Sequence, residues 1–293
     1  MSPIDPSKES DLSQALGRIP ALAAVPQSAW SITRLGGITN RNYRLRHGDR
    51  DYVLRLPGAG AHQYLDRAAG FHNATLAAEI GISPPVLFSD TARGWQLSVY
   101  LPDAVILRTV DFHDPSILAA IGRLIGRLQA SGADFRNEMR PFAISDRYLK
   151  LAPESRLLAL RRQAGRLEAA LGTASAPLVP SHIDPNPSNF LLQADCHLSL
   201  IDWEFSAMSD PCWDLAAIAL DNDLDHLEID CLLGAAGYPS NPDMARRLLQ
   251  MRTALCLVAS SWAFVEIAAG NDAPDLRDFA EQRLAAFADG LAR

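Results

Sequence analysis

The chain has 293 residues, 48% apolar and 21% charged. That balance excludes a disordered or fibrous polymer and allows one large core or two modest domains. Lys and Arg number 27 against 34 Asp and Glu, a net charge of −7, which argues against a general nucleic-acid binder and is compatible with a small cationic substrate.

The opening residues, MSPIDPSKESDLSQ, hold no basic start followed by an apolar run, so no signal peptide is expected. The longest apolar stretch, Ala254 to Ala269, is interrupted by Ser260, Ser261 and Glu266. It falls short of the ~20 residues of a membrane span. The expectation is a cytoplasmic protein without membrane insertion. The four cysteines form no CxxC pair and have no histidines at zinc spacing, which predicts buried free thiols in a reducing compartment.

In chain order, residues 31–101 hold short β-rich runs at Tyr43–Leu45, Tyr52–Leu56, Val86–Ser89 and Gln96–Leu101. Gly36-Gly37, His47-Gly48-Asp49 and Pro57-Gly58 punctuate them as turns. One helical pattern, about Leu65 to Glu79, interrupts them. A helix then starts at Asp114-Pro115, a capping carboxylate followed by a proline whose missing N–H costs nothing there. Ile117, Leu118, Ile121, Leu124, Ile125 and Leu128 repeat at helical spacing, and Gly132 ends the run. Further helical patterns cover 153–171, 213–234, 242–268 and 274–291. A β-like island, Ser188–Leu192 and His197–Asp202, lies among them. The arginines at 156, 161, 162 and 166 read as a solvated helix face. The expected fold is α+β in two lobes: a small antiparallel sheet with one packed helix over residues 1–102, and a larger helical lobe with an inserted catalytic hairpin over 103–293. A crevice between lobes is a common ligand site.

The most informative stretch is Ser181-His182-Ile183-Asp184-Pro185-Asn186-Pro187-Ser188-Asn189. It contains H-x-D-x-x-x-x-N, and Ile201-Asp202-Trp203-Glu204 follows. This is the order of a kinase catalytic loop and its metal-binding aspartate. Phosphoryl transfer needs a carboxylate to orient the acceptor hydroxyl and take its proton, which Asp184 supplies. It needs hard oxygen ligands for Mg²⁺ on ATP, which Asn189 and Asp202 supply. His182 is read as a brace of the loop rather than a catalytic group. Upstream, Gly36-Gly37 marks a turn that brings backbone N–H groups to phosphates. The alternating strand Tyr52–Leu56 then carries Arg55, a cation for the α- and β-phosphates.

GGITNRNY, YVLRLPG, HIDPNPSNFLL and LIDWEFSAMSDPCWDLA together resemble the choline/ethanolamine kinase family, particularly its bacterial branch. The likeness covers roughly residues 30–290. It implies the protein-kinase-like fold shared with aminoglycoside phosphotransferases, and a cytoplasmic ATP- and Mg²⁺-dependent kinase of a primary alcohol, choline or ethanolamine. Carried onto this chain, Asp184 is the base, and Asn189 and Asp202 hold Mg²⁺. Thr39 and Asn40 lie in the phosphate-covering loop with Gly37, Arg55 contacts the phosphates, and Tyr100 and Leu101 form the adenine-side hinge. Asp214 braces the catalytic loop. Glu204 matches an acidic residue beside the acceptor. Trp262 matches an aromatic facing a quaternary ammonium, or is a core tryptophan. A cation over an indole gains about 0.5–2 kcal/mol.

Two departures stand out. The family pattern N-R-x-x-E, whose Glu pairs with the strand cation, is here Asp66-Arg67-Ala68-Ala69-Gly70. Asp66, one turn earlier, is the expected substitute. Tyr100-Leu101-Pro102-Asp103-Ala104 also lacks the usual glycine after the hinge. The alternatives are a phosphotransferase of this fold for an aminoglycoside, a thiamine-like alcohol or a sugar, or a nucleotide-binding pseudokinase, for which Gly70 is the only support. No oligomeric state follows from the sequence.

Overall fold

The computed structural model describes residues 9–36, 40–58, 66–172, 177–239 and 241–292. These fall into two compact units. One runs to Leu107 and takes in Ser188–Ser206; the other holds Arg108–Pro187 and the chain from Ala207 onward.

The first unit begins with two helices that the sequence reading did not anticipate. The first, α1 (Ser10–Arg18), buries Leu12, Ala15 and Leu16, and α2 (Pro20–Ala23) opens on a proline. The strands β1 (Ser31–Arg34), β2 (Asn40–His47), β3 (Arg50–Pro57), β4 (Val86–Asp90) and β5 (Trp95–Val99) form an antiparallel sheet in the order β1-β2-β3-β5-β4. Gly48, at φ +60°, closes the tight turn that pairs His47 with Arg50. Leu45, Leu54, Leu56 and Leu97 alternate inward along the strands and share one core with Leu12, Leu16, Ile19 and Trp30. Between β3 and β4 lies α3 (Arg67–Glu79), which begins two residues after the predicted start. The short β6 (Val105–Ile106) follows β5.

In the second unit, α4 (Pro115–Ala130) starts as the sequence implies. The Asp114 carboxylate accepts from the N–H groups of Ser116 and Ile117, and Gly132, at φ +68°, follows its end. Then come β7 (Glu138–Met139) and the unanticipated α5 (Pro141–Leu151). The predicted 153–171 helix is two: α6 (Ser155–Gln163) and α7 (Gly165–Leu171), broken at Ala164. Arg156, Arg162 and Arg166 are exposed, as the solvated-face reading has it, while Arg161 is half-buried; Arg161 pairs with Asp146 and Glu168, and Arg156 with Glu154 and Glu281.

After β8 (Val179–Ser181) the chain forms the predicted hairpin, β9 (Phe190–Leu192) and β10 (Leu198–Leu200). It groups with the first unit rather than with the helical lobe assigned to it from sequence. The cause is hydrogen bonding. β6 pairs with β9, the Leu107 N–H donates to the Phe190 carbonyl, and the Leu200 N–H donates to the Ile82 carbonyl. The strand β11 (Ala207–Ser209) lies between β7 and β8.

The predicted 213–234 helix also divides, into α8 (Cys212–Asp221) and α9 (His226–Ala235). Asp225 and Glu228 form a reciprocal capping box that starts the second. Two helices complete the unit, α10 (Pro242–Ala268) and α11 (Leu276–Ala292). Among the described residues α10 is long and apolar enough to cross a membrane, but 61% of its apolar window is buried inside the unit, where it packs on α5, α8 and α11. All four thiols are free. Cys212 and Cys256 are buried as expected, whereas Cys196 is exposed and Cys231 half-buried.

Candidate active site

Arg55 lies in the middle of β3, opposite Asn42 on one side and Gln96 on the other. Its guanidinium is held by two carboxylates. One Nη is 3.2 Å from Asp202, and the other makes a short ion pair with Glu204. Glu204, expected beside the acceptor, thus faces the strand cation, and its Oε2 also accepts from Asn40 Nδ2 at 2.9 Å. Asp66, expected to take up Arg55, caps α3 instead, accepting from the Ala69 N–H at 3.1 Å. Sitting ahead of the helix, it is bound by its own first turn. Gly37 and Thr39 lie outside the described residues.

At the hinge, the Tyr100 N–H donates to the Asp51 carbonyl at 3.0 Å. Its ring lies under the Arg44 guanidinium, 3.8 Å from the centroid, and Arg44 is in turn held by both carboxylate oxygens of Asp51. Leu101 is half-buried beside it. Asp103 stands at φ +63°, the left-handed region that glycine enters freely. It lies in the segment Tyr100–Ala104, which lacks the family's usual glycine.

The hairpin carries the candidate metal ligands. The register Leu200 to Phe190 brings Asn189 and Ile201 together at its open end, where the Ile201 N–H donates to the Asn189 carbonyl at 3.0 Å. Asp202 follows at φ +67°. Its Oδ1 is buried and receives no hydrogen bond, despite the nearby Arg55. A buried carboxylate oxygen costs free energy unless a cation meets it, and here the Arg55 guanidinium does so at 3.2 Å. The donor set, a carboxylate and an amide oxygen, suits Mg²⁺. No group of three His, Cys, Asp or Glu side chains gathers for a metal among the described residues.

In the other unit, Asp184 follows a constrained backbone. Ile183, a β-branched residue, adopts φ +76°, a conformation costing about 1–3 kcal/mol. Three hydrogen bonds from α8 hold it. Asp214 accepts from the N–H groups of His182 at 2.8 Å and Ile183 at 2.9 Å, and Trp213 Nε1 donates to the Ile183 carbonyl at 3.0 Å. Asp214 is wholly buried, and burial pushes its carboxyl up against the opposing pull of His182 and the two N–H groups. His182 is also wholly buried. Asn186 donates to Asp184 Oδ2 at 3.0 Å. Asp210 fixes the start of α8 by accepting from the Cys212 N–H and pairing with Arg247 at 2.6 Å. The D-P-C-W-D run is thus a bracket for the loop that carries Asp184.

Trp262 is half-buried and meets Phe279 edge-on, with centroids 6.4 Å apart. The Arg283 guanidinium lies 5.2 Å from the Phe279 centroid and pairs with Asp221 at 2.6 Å. Burial pushes the Asp221 carboxyl up, Arg283 opposes this, and Asp184 adds to it. Phe279 and Arg283 were not singled out from sequence. Their only signal was their position on the last helical pattern.

The fold is the protein-kinase-like one of choline/ethanolamine kinases and aminoglycoside phosphotransferases. The chain belongs to the phosphotransferase enzyme family, whose profile matches residues 31–248. It is 30% identical to protein LicA of Haemophilus influenzae over 215 residues, 71% of this chain and 62% of that protein. It therefore spans less than two thirds of that relative's length. It is 26% identical to thiamine kinase of Escherichia coli over 213 residues, 70% of this chain and 72% of that one. Among solved structures it is similar to a choline/ethanolamine kinase family protein from Mesorhizobium loti, with a TM-score of 0.80, 30% identity and 98% of each chain covered.

Proposed function

We propose that this chain transfers the γ-phosphoryl group of ATP to a primary alcohol of the choline or ethanolamine type, with Mg²⁺. The observation that carries the reading is the Asp202 carboxylate, of a type that suits Mg²⁺, in an ion pair at 3.2 Å with Arg55, a guanidinium of a type that suits phosphate. In this reading the first unit binds the nucleotide. Arg55 contacts the phosphates, the loop through Gly37, Thr39 and Asn40 covers them, and Tyr100 and Leu101 flank the base. Asn189 and Asp202 would hold Mg²⁺, which neutralises phosphate oxygens when bound. Asp184 orients the acceptor hydroxyl and takes its proton, with its loop held by Asp214. Catalysis is then mainly positioning and electrostatics.

The Mesorhizobium relative and the Trp262–Phe279 pair support a cationic alcohol, since aromatic faces attract quaternary ammonium groups. The Escherichia coli thiamine kinase similarity favours a second reading, a thiamine-like acceptor. The test is Asp184→Asn. Steady-state turnover should fall about 10²- to 10⁴-fold, the usual worth of general-base catalysis, with MgATP affinity by calorimetry unchanged. Wild-type turnover in that variant would remove Asp184 from the mechanism.

A further inference from the structure

We propose that Glu204 is the positioning residue of Arg55, and that position 70 is glycine because the Glu204 backbone occupies the space a side chain would need. This rests on reading Arg55 as the phosphate-contacting cation. Arginine on a strand has a long side chain with several rotamers, so its charge is useful to a phosphate only where a partner fixes it. Among the described residues, the ion-pair partners of Arg55 are Asp202 and Glu204. Asp202 Oδ1 stands 3.2 Å from the guanidinium and its carboxylate also belongs to the donor set that suits the metal, so Glu204, which makes the shorter ion pair, is the partner that serves Arg55 alone. The pair is largely withdrawn from water, with side chains 17% and 11% exposed. Asn40, on the neighbouring strand, donates to the same Glu204 oxygen and fixes its direction.

Gly70 explains why the partner comes from the hairpin side rather than from α3. A Cβ at position 70 would lie 3.3 Å from Glu204 Cα and 3.3 Å from the Trp203 carbonyl oxygen. Both contacts are backbone, which cannot swing aside as a side-chain tip can. A glutamate on α3 would therefore push against the turn that carries Asp202 and Glu204. Asp66 is committed to the Ala69 N–H. Position 70 and position 204 thus form one unit: the helix gives up its side chain, and the turn that moves in supplies the carboxylate.

The experiment is a calorimetric cycle with Mg²⁺ and the β,γ-imido analogue of ATP, on Arg55→Ala, Glu204→Gln and the double variant, with melting temperatures to show that each is folded. Arg55→Ala should weaken binding at least about tenfold, and Glu204→Gln about tenfold, the worth of one charge-assisted hydrogen bond. The double variant should bind no more weakly than Arg55→Ala alone. Gly70→Ala, which displaces the turn without touching a charge, should weaken binding severalfold with Arg55 present and not in its absence. Unchanged affinity in Glu204→Gln, or an equal loss with and without Arg55, would overturn the proposal. So would a change confined to the KM for choline, which would return Glu204 to the acceptor side. Unchanged affinity in Arg55→Ala would show instead that the phosphate reading of Arg55 is wrong, and the proposal would fall with it.

Discussion

Asp214 joins two opposing effects at one carboxylate. Burial raises its proton affinity, while two backbone N–H groups and His182 favour the charge. With burial the larger, its folded pKa lies above the unfolded value. The sign follows by linkage: the native state binds its proton more tightly, so this group's contribution to stability is greatest below the unfolded pKa and declines as pH rises from about 4 towards the folded value. Asp214→Asn should remove that decline from urea melts taken across the acid range. At neutral pH it should still cost about 2–3 kcal/mol, because one of the two N–H groups loses its acceptor. Turnover should fall with it, since Ile183 is then free to leave its strained φ. A variant with wild-type melting and turnover would show that the bracket is dispensable. The thiols give a second test at this scale. Burial pushes Cys212 up to about 11, whereas Cys196 is exposed. A disulfide reagent at neutral pH should label Cys196 in the folded protein and reach Cys212 only on unfolding; prompt labelling of Cys212 would contradict its burial.

Helix α4 shows how element packing depends on single positions. A Cβ at Gly122 would lie 2.7 Å from the Leu232 carbonyl oxygen, and one at Gly126 would lie 2.6 Å from that of Ala236. The two glycines let α4 approach α9 more closely than any side chain permits. Gly126→Ala gains helix propensity of about 1 kcal/mol but must separate the pair, so it should destabilise by about 1–3 kcal/mol net. A raised melting temperature would refute this. The same helix was legible in the sequence because its start and stop are local: Asp114 caps, Pro115 begins and Gly132 follows the end. Strands β2, β3, β4 and β5 were legible by alternation. The helices α1, α2 and α5 were missed although local signals were present: Leu12, Ala15 and Leu16 stand at helical spacing in α1, and α2 and α5 open on Pro20 and Pro141. The breaks at Ala164 and Asp225 had local marks, Gly165 beside the first and the polar run Asp221-Asn222-Asp223 with the Asp225–Glu228 capping box at the second.

For the molecule as a whole, the H-x-D-x-x-x-x-N loop and the later Asp202 pointed to kinase chemistry from spacing alone, and the family match agrees with that chemistry. The partner of Arg55 was not legible. Asp66, one helical turn before position 70, was the expected partner, yet Glu204, 149 residues from Arg55, holds the cation. A long-range ion pair leaves no periodic trace in one sequence. The pseudokinase reading rested on the missing carboxylate at position 70, and Glu204 removes that ground by supplying one. The most direct test is ADP release from MgATP against choline, ethanolamine, thiamine, simple sugars and an aminoglycoside, with Asp184→Asn as the blank. The account predicts release that depends on choline or ethanolamine and disappears in the variant. Release with thiamine alone would contradict the acceptor assignment, and nucleotide binding without release for any acceptor would contradict the assignment of catalysis.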